Sequence, residues 1–434
     1  MRVLFLSLML VLSAPAHSSS YAPLSLLQVS EASPLVLEGR VVSVGEDEAV
    51  FEVAKVMKGT TEAERLRLPV LRTPGLRIPP YTVGEQAVVF LADKAVNPSM
   101  QVRLISPMGG RVILKPGRQA ADRFAVQEIL ALASLGDTHE RELAMIEAAT
   151  ADNQLIRDEG LSFLRIRLPY SDHRDDCAPA LTALLTHADT AIAAASASGL
   201  QFAKYEPSIA PLIDATRQSD TNLVRAASLA LGKFDTAESA AALIALLDHV
   251  DPRMRSRAAI DLSMSRRPEV KQALLAALDD PDTHTRAIVT GRFFQWMRND
   301  DADDVVPRLV EMLADPAIEV RAAAADSLSE SRDARIVPPL LAVLREPDLD
   351  ARIAGRVFGT LYSLRSKAGP AAAELIDPEM ALYLDLLKRV PEVGFQLVGL
   401  LDLIGGQPAQ EALQWAAESH PQQRVREHAA RLEK

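Results

Sequence analysis

The spacing of apolar positions changes once along the chain, near residue 118. From about Pro34 to Leu114 it is strand-like: Val36–Val44 is β-branched and apolar, Ala49–Val56 alternates, and Glu85–Leu91 ends in Ala-Val-Val-Phe-Leu. Gly45-Glu46-Asp47 supplies a turn, and further breaks fall at Lys58-Gly59, at Pro74–Pro80 and at Pro107-Met108-Gly109-Gly110. This predicts a small all-β domain over residues 30–115, with five or six strands at the spacing of a barrel or sandwich. From Gln119 the period becomes helical and stays so to residue 434. The fold class expected is therefore multidomain, a small β-domain followed by an all-α array.

The helical part repeats. Acidic turn residues recur at Asp189, Asp220 and Asp251, 31 residues apart, and then at Asp280, Asp315, Glu346 and Asp377. Asp251-Pro252, Asp280-Pro281, Asp315-Pro316 and Glu346-Pro347 are each followed, six residues after the acid, by Arg257, Arg286, Arg321 and Arg352. Asp suits an N-cap, where it accepts an orphan amide, and Pro suits the first helical position, where its missing donor is no loss. Small Ala positions just after the Arg let one helix approach the next closely. A helix pair of this kind cannot bury its apolar face alone, so the units must stack into a solenoid.

Asp315-Pro316-Ala317-Ile318-Glu319-Val320-Arg321-Ala322-Ala323-Ala324 resembles the second-helix signature of a HEAT repeat, and Pro179, Pro211, Pro307 and Pro338 match its kinked first helix. The resemblance spans residues 119–434. It implies an α-solenoid in which turn acids and helix arginines form a ladder between neighbouring repeats, here Asp251, Asp280, Asp315, Arg257, Arg286, Arg321 and Arg352. In the β-domain, Leu37-Glu38-Gly39-Arg40-Val41-Val42, Phe51-Glu52-Val53 and Gly84–Leu91 resemble netrin/TIMP-like OB-fold domains.

The amino-terminal residues set a location. Met1-Arg2, an apolar run from Val3 to Leu12 and Ala14-Pro15-Ala16 have the layout of a signal peptide over residues 1–16, which predicts an exported chain, periplasmic or secreted. The run is half the ~20 residues a bilayer span needs, so no membrane span is expected in the mature chain. With Cys177 as its single cysteine, the chain forms no internal disulfide. A net charge of −11 excludes general binding to nucleic acid, which needs a basic footprint. Aromatic residues are 4% and the hydrophobic set 48%, so Ala, Leu, Val and Ile must build the core.

Candidate chemistry is sparse. The eight histidines show no His-x3-His pair with a carboxylate at zinc spacing. His420 and His428 come nearest, and surface positions are expected for them. His173 and Cys177 sit four apart, where an imidazole would lower a thiol pKa; the competing reading is a helix-capping or buried role. Ser171-Asp172-His173 is no triad, because adjacent residues cannot face one another. Asn299–Asp304 suggests calcium, but it lacks the loop glycine and distal Glu and equally suits a helix N-terminus. These readings assign no catalytic residue, no metal and no cofactor.

A basic surplus between Arg253 and Arg298 surrounds Phe293-Phe294-Gln295-Trp296, inside the longest repeat interval. Arg292, Phe293, Phe294 and Trp296 are thus candidates for binding a partner, against the alternative that Phe293 and Trp296 fill the core of a long helix. The functional expectation is a non-catalytic scaffold that binds an unknown protein. Two alternatives come from the resemblances: a bilin-lyase-like accessory role, and TIMP-like protease inhibition, which lacks its N-terminal Cys here.

Overall fold

β1 (Leu35–Val44) is the first strand of the sequence and the middle strand of the sheet, which runs β3-β2-β1-β4-β5 with every neighbour antiparallel. The others are β2 (Glu48–Lys58), β3 (Arg65–Pro69), β4 (Gln86–Leu91) and β5 (Arg111–Ile113). The computed structural model describes residues 25–70, 80–93, 104, 111–136, 138–203, 205–297 and 302–432. The expected signal peptide and the breaks at 74–79 and 107–110 lie outside them.

Two compact units divide the chain, Met1–Leu184 and Leu185–Lys434. The first holds the sheet, whose central strands are buried on both faces, which is why β4 reads as an unbroken apolar run. Leu35, Leu37, Phe51, Leu66 and Leu91 pack on one face. On the other, Val36, Val88 and Phe90 meet Val29, Leu114 and Val126. Val29 and Val126 belong to helices, Leu26–Ala32 and Gln119–Ser134. What the periodicity reads as a free-standing barrel or sandwich is one five-stranded sheet with helices on a face, and among the described residues no ladder joins β3 to β5. Gly39 sits at a register shift between β1 and β2, where a Cβ would overlap the Glu52 carbonyl oxygen and lie 2.7 Å from the Phe51 ring.

The helix Leu26–Ala32 is missing from the sequence reading because seven residues carry too little periodicity. Ser25 and Gln28 close a capping box at its start. Its next amides, on Leu26 and Leu27, donate to the two carboxylate oxygens of Glu159 at 2.7 and 3.0 Å. Glu159 belongs to the helix Gln154–Ile166. Glu31 takes the Arg141 guanidinium at 2.6 Å, and Glu38 of β1 takes Arg123 at 2.6 Å. The helix Gln119–Ser134 thus packs on the sheet, the next two helices tie to the short helix Leu26–Ala32, and the compact units part well after the strand-to-helix change near residue 118.

The second unit is a stack of helix pairs. Its second helices, Thr190–Gly199, Thr221–Leu231, Pro252–Leu262, Thr283–Thr290, Ile318–Leu328, Ala351–Lys367 and Gly394–Ile404, form a row in which each packs on the next. Ala, Leu and Val fill the row, including Ala193, Ala227, Ala258, Leu262, Ala324 and Leu328. Buried hydroxyls tie successive helices together: Ser228 Oγ donates to Asp261 at 2.6 Å, Ser327 Oγ to the Thr290 carbonyl at 2.7 Å, and Thr360 Oγ1 to the Ala325 carbonyl at 2.7 Å. Among the described residues no helix is long and apolar enough to cross a membrane.

Candidate functional site

The turns before several of the second helices share one geometry in two sequence registers. Asp189, Asp220, Asp251 and Asp282 are the N-caps, spaced by 31 residues, each accepting an amide of the first helical turn. Two residues earlier, a second side chain accepts the N-cap's own amide: His187, His249, Asp280, Asp315 and His420 all do so, at 2.7 to 3.1 Å. Asp251-Pro252 and Asp280-Pro281 therefore occupy different places. Pro252 is inside its helix, and Pro281 precedes the cap. The sequence series slips by two residues between Asp251 and Asp280, because an acid followed by Pro suits both positions.

The slip reassigns an arginine. Asp280 accepts a two-point ion pair from Arg255, Nε–Oδ2 2.6 Å and Nη2–Oδ1 2.8 Å, and Asp315 accepts the same from Arg286 at 2.9 and 3.2 Å. Arg321 reaches Glu346 at 2.7 Å. Arg255 and Arg286 also donate through Nη1 to carbonyls of their own turns, at His249 and Asp280. Arg257, expected in this ladder, instead pairs with Asp261 one turn along its own helix at 2.7 Å. Asp251 is a cap. Arg352 folds back on the cap Asp350 at 3.3 Å and reaches no neighbouring repeat among the described residues. Burial raises the Asp315 carboxyl pKa, but Arg286 and the Ala317 amide outweigh it and hold the group below its ordinary value.

Two of the three aromatic candidates, Phe293 and Trp296, are core. Phe293 is fully buried, Trp296 is 3% exposed, and their ring centroids lie 5.6 Å apart. Their interval is long because an extra short helix, Phe294–Met297, is inserted there, and its apolar side is the filling. Arg292 donates to the Ile288 carbonyl at 3.3 Å, and Phe294 is half-buried. Phe293 and Trp296 therefore offer no exposed anchor. His420, expected at the surface, is fully buried, and its Nδ1 accepts the Gln422 amide. Of the acidic run, Asp304 accepts Lys271 Nζ and Gln272 Nε2, both at 3.1 Å, while residues 298–301 are outside the description.

Two features escaped the sequence reading. An open cleft of about 800 Å³ crosses three successive second helices. Its lining includes the small residues Ala322, Gly355, Gly359 and Ser363 and the charged residues Glu319, Asp326, Arg352, Arg356 and Glu392. The other is a side-chain cluster in the first unit. His139 and Glu142 lie one turn apart on the helix His139–Ala148, and Asp176 and Cys177 lie in the first turn of the helix Arg174–Leu184, where the His173 carbonyl accepts the Cys177 amide. Cys177 Sγ is 3.8 Å from His139 Nδ1 and 3.6 Å from Glu142 Oε2. The His139 and His173 rings sit 5.8 Å apart. The spacings His-x-x-Glu and His-x-x-Asp-Cys are weak separately, and only the packing of the two helices joins them. Burial first, then the Glu142 charge, pushes the Cys177 thiol up to about 12, so the expected lowering by a neighbouring imidazole is reversed and the sulfur is no free thiolate.

Comparison with known proteins agrees with this geometry. Residues 209–291 match the family model for HEAT repeats, and residues 320–346 match that for the PBS lyase HEAT-like repeat. No curated protein matches. Among solved structures, importin beta in a polyethylene glycol condition superposes with a TM-score of 0.52 at 15% identity, over 72% of this chain and 52% of that one. Kap95p, whose binding induces the switch loops of RanGDP to adopt the GTP-bound conformation, gives 0.50 at 15%, over 72% and 48%. This chain thus spans about half of each, and the likeness is one of fold. The complex of CpcE and CpcF of phycocyanin lyase from Nostoc sp. PCC7120 gives a TM-score of 0.32 at 22% identity, over 55% and 92%.

Proposed function

From the premise that the chain is a HEAT-repeat protein, we propose that it is a non-catalytic binding protein that receives a segment of a partner protein in the cleft across Gly355 and Gly359. The observation that carries this is the pair of glycines. A mid-helix Gly costs roughly 1 kcal/mol relative to Ala. Usually a close neighbour explains it, but a Cβ at Gly359 would meet nothing within 4 Å, and one at Gly355 only the end of Gln396 at 3.7 Å. Two glycines one turn apart are thus spent on empty space above a helix. That space suits an extended or helical segment lying against backbone, with Glu319, Glu392 and the Arg356–Asp326 ion pair among its lining for polar contacts.

Export belongs to the same reading and rests on the apolar run Val3–Leu12 followed by Ala14-Pro15-Ala16. Cell fractionation with N-terminal sequencing tests it, since the mature chain begins at His17. For the cleft, a photo-crosslinking side chain at position 359 of the full chain captures a discrete partner, and Gly355→Leu with Gly359→Leu abolishes capture without lowering the melting temperature. Equal capture by that double variant would sink the proposal.

A further inference from the structure

The cluster between the helices His139–Ala148 and Arg174–Leu184 is arranged as a cation site. Cys177 is fully buried and Glu142 is 4% exposed. Around the Glu142 carboxylate stand the Ser171 hydroxyl on Oε1 and the Cys177 thiol on Oε2, and no Lys, Arg or His forms an ion pair with it among the described residues. Buried carboxylates are ordinarily paired with a cation or bound to a metal. The nearest arginine of the same helix, Arg141, is turned to Glu31. Against Glu142 stand a thiol and the Nδ1 of His139, which are metal donors.

The distances carry the case further. Bond lengths of about 2.0–2.1 Å to nitrogen or oxygen and about 2.3 Å to sulfur, set at a tetrahedral angle, put neighbouring donor atoms roughly 3.5 Å apart. Sγ lies 3.6 Å from Glu142 Oε2 and 3.8 Å from His139 Nδ1, and the three donor atoms are all within 4.8 Å of one another. Ser171 holds the second oxygen of Glu142 in place, in the manner of an outer-shell partner, and accepts the His173 amide at 3.0 Å. His173 and Asp176 offer donor atoms within 4.8 Å of His139 on the more open side.

We infer that Cys177, His139 and Glu142 bind a zinc-type divalent ion, with the fourth position open toward His173 and Asp176. Sulfur and imidazole donors select such an ion over magnesium or calcium. On binding, the Cys177 S–H bond breaks, its proton leaves to buffer, and a metal–thiolate bond forms. Glu142 then exchanges its hydrogen bond from the thiol for the cation, and its buried charge gains a partner.

The full chain, stripped with chelator and dialysed against Zn2+, is expected to retain one equivalent, unaffected by excess Mg2+. Co2+ in its place gives a thiolate-to-cobalt charge-transfer absorption. Cys177→Ser removes that absorption, and His139→Gln weakens zinc binding by at least about 100-fold. Far-UV circular dichroism confirms that both variants fold. His139→Gln, at a half-buried position, keeps the test alive should the fully buried Cys177 not tolerate change. Retention of no zinc by the wild-type chain overturns the site, as does equal zinc affinity in the wild type and a folded variant.

Discussion

Arg286 and Asp315, 29 residues apart, join neighbouring repeats through two parallel N–H···O bonds of 2.9 and 3.2 Å, with side-chain exposures of only 15% and 7%. In sequence Arg286 and Arg352 hold the same motif position, yet Arg352 is 71% exposed and bonded to its own helix cap. Removing one partner of a largely buried pair costs about 3 kcal/mol, whereas an exposed arginine changes stability by roughly 0.5 kcal/mol or less. Arg286→Ala should therefore lower the denaturant midpoint of the second unit clearly, and Arg352→Ala hardly at all. Similar losses in urea titrations of both would show that the inter-repeat pair is not what matters.

His420 gives the fold a dependence on pH. Burial pushes its imidazole below the ordinary 6.5, with Arg426, bonded to the His420 carbonyl, acting in the same direction. A base with a depressed folded pKa binds more protons when unfolded, so stability rises with pH in this window. It is complete above 6.5 and declines as pH falls toward the folded value. His420→Asn keeps an acceptor for the Gln422 amide and should flatten the melting temperature between pH 7 and 5. A wild-type curve already flat there would refute the assignment.

The carboxylates act lower down. The Leu223 amide, first, and the Thr190 hydroxyl hold Asp220 below its ordinary value, and the Thr285 amide does the same for Asp282. Their stabilisation is full above the unfolded carboxylate value of about 3.9 and is lost as pH falls through the folded values. Below pH 4 the second unit should unfold progressively, and Asp282→Asn should reduce the steepness of that limb in a circular-dichroism titration.

Glycines at two places should respond oppositely. Gly39→Ala drives a methyl group into the Glu52 carbonyl and the Phe51 ring and is expected to destabilise the first unit by more than about 2 kcal/mol. Gly359→Ala meets nothing and should stabilise its helix by roughly 0.5–1 kcal/mol. Calorimetry that found Gly359→Ala destabilising would remove the argument that the cleft lining is kept bare at a cost to stability.

Trp296 separates core from surface directly. At 3% exposure and in contact with Phe293, its truncation to Ala should cost about 3–5 kcal/mol. An exposed anchor would cost almost nothing, so one thermal melt distinguishes the two.

The solenoid was legible because its signals are local: caps, prolines and Ala-rich faces all fall within a dozen residues. The register was not, since an acid before proline serves both the cap and the position two residues ahead of it, and only the path of Arg255 and Arg257 tells them apart. His187, His249 and His420 hid for a related reason, because an imidazole Nδ1 does the work of an Asp oxygen in that turn. The His139, Glu142 and Cys177 cluster is a product of packing between helices more than thirty residues apart, and neither half is a motif. On the β side, Glu85–Leu91 was readable as a strand, but what covers it comes from a short helix and from the first long one.

The carboxylate of Glu159 on the amides of Leu26 and Leu27 bridges 133 and 132 residues. During synthesis, the first described helix waits for its anchor until that much more chain has emerged, and β1 likewise waits for Arg123 to meet Glu38. Contacts this remote in sequence are closed late and slowly. The second unit, built from neighbours about 31 residues apart, has no such delay. The first described helix and β1 therefore settle only once the helices that complete them have been made.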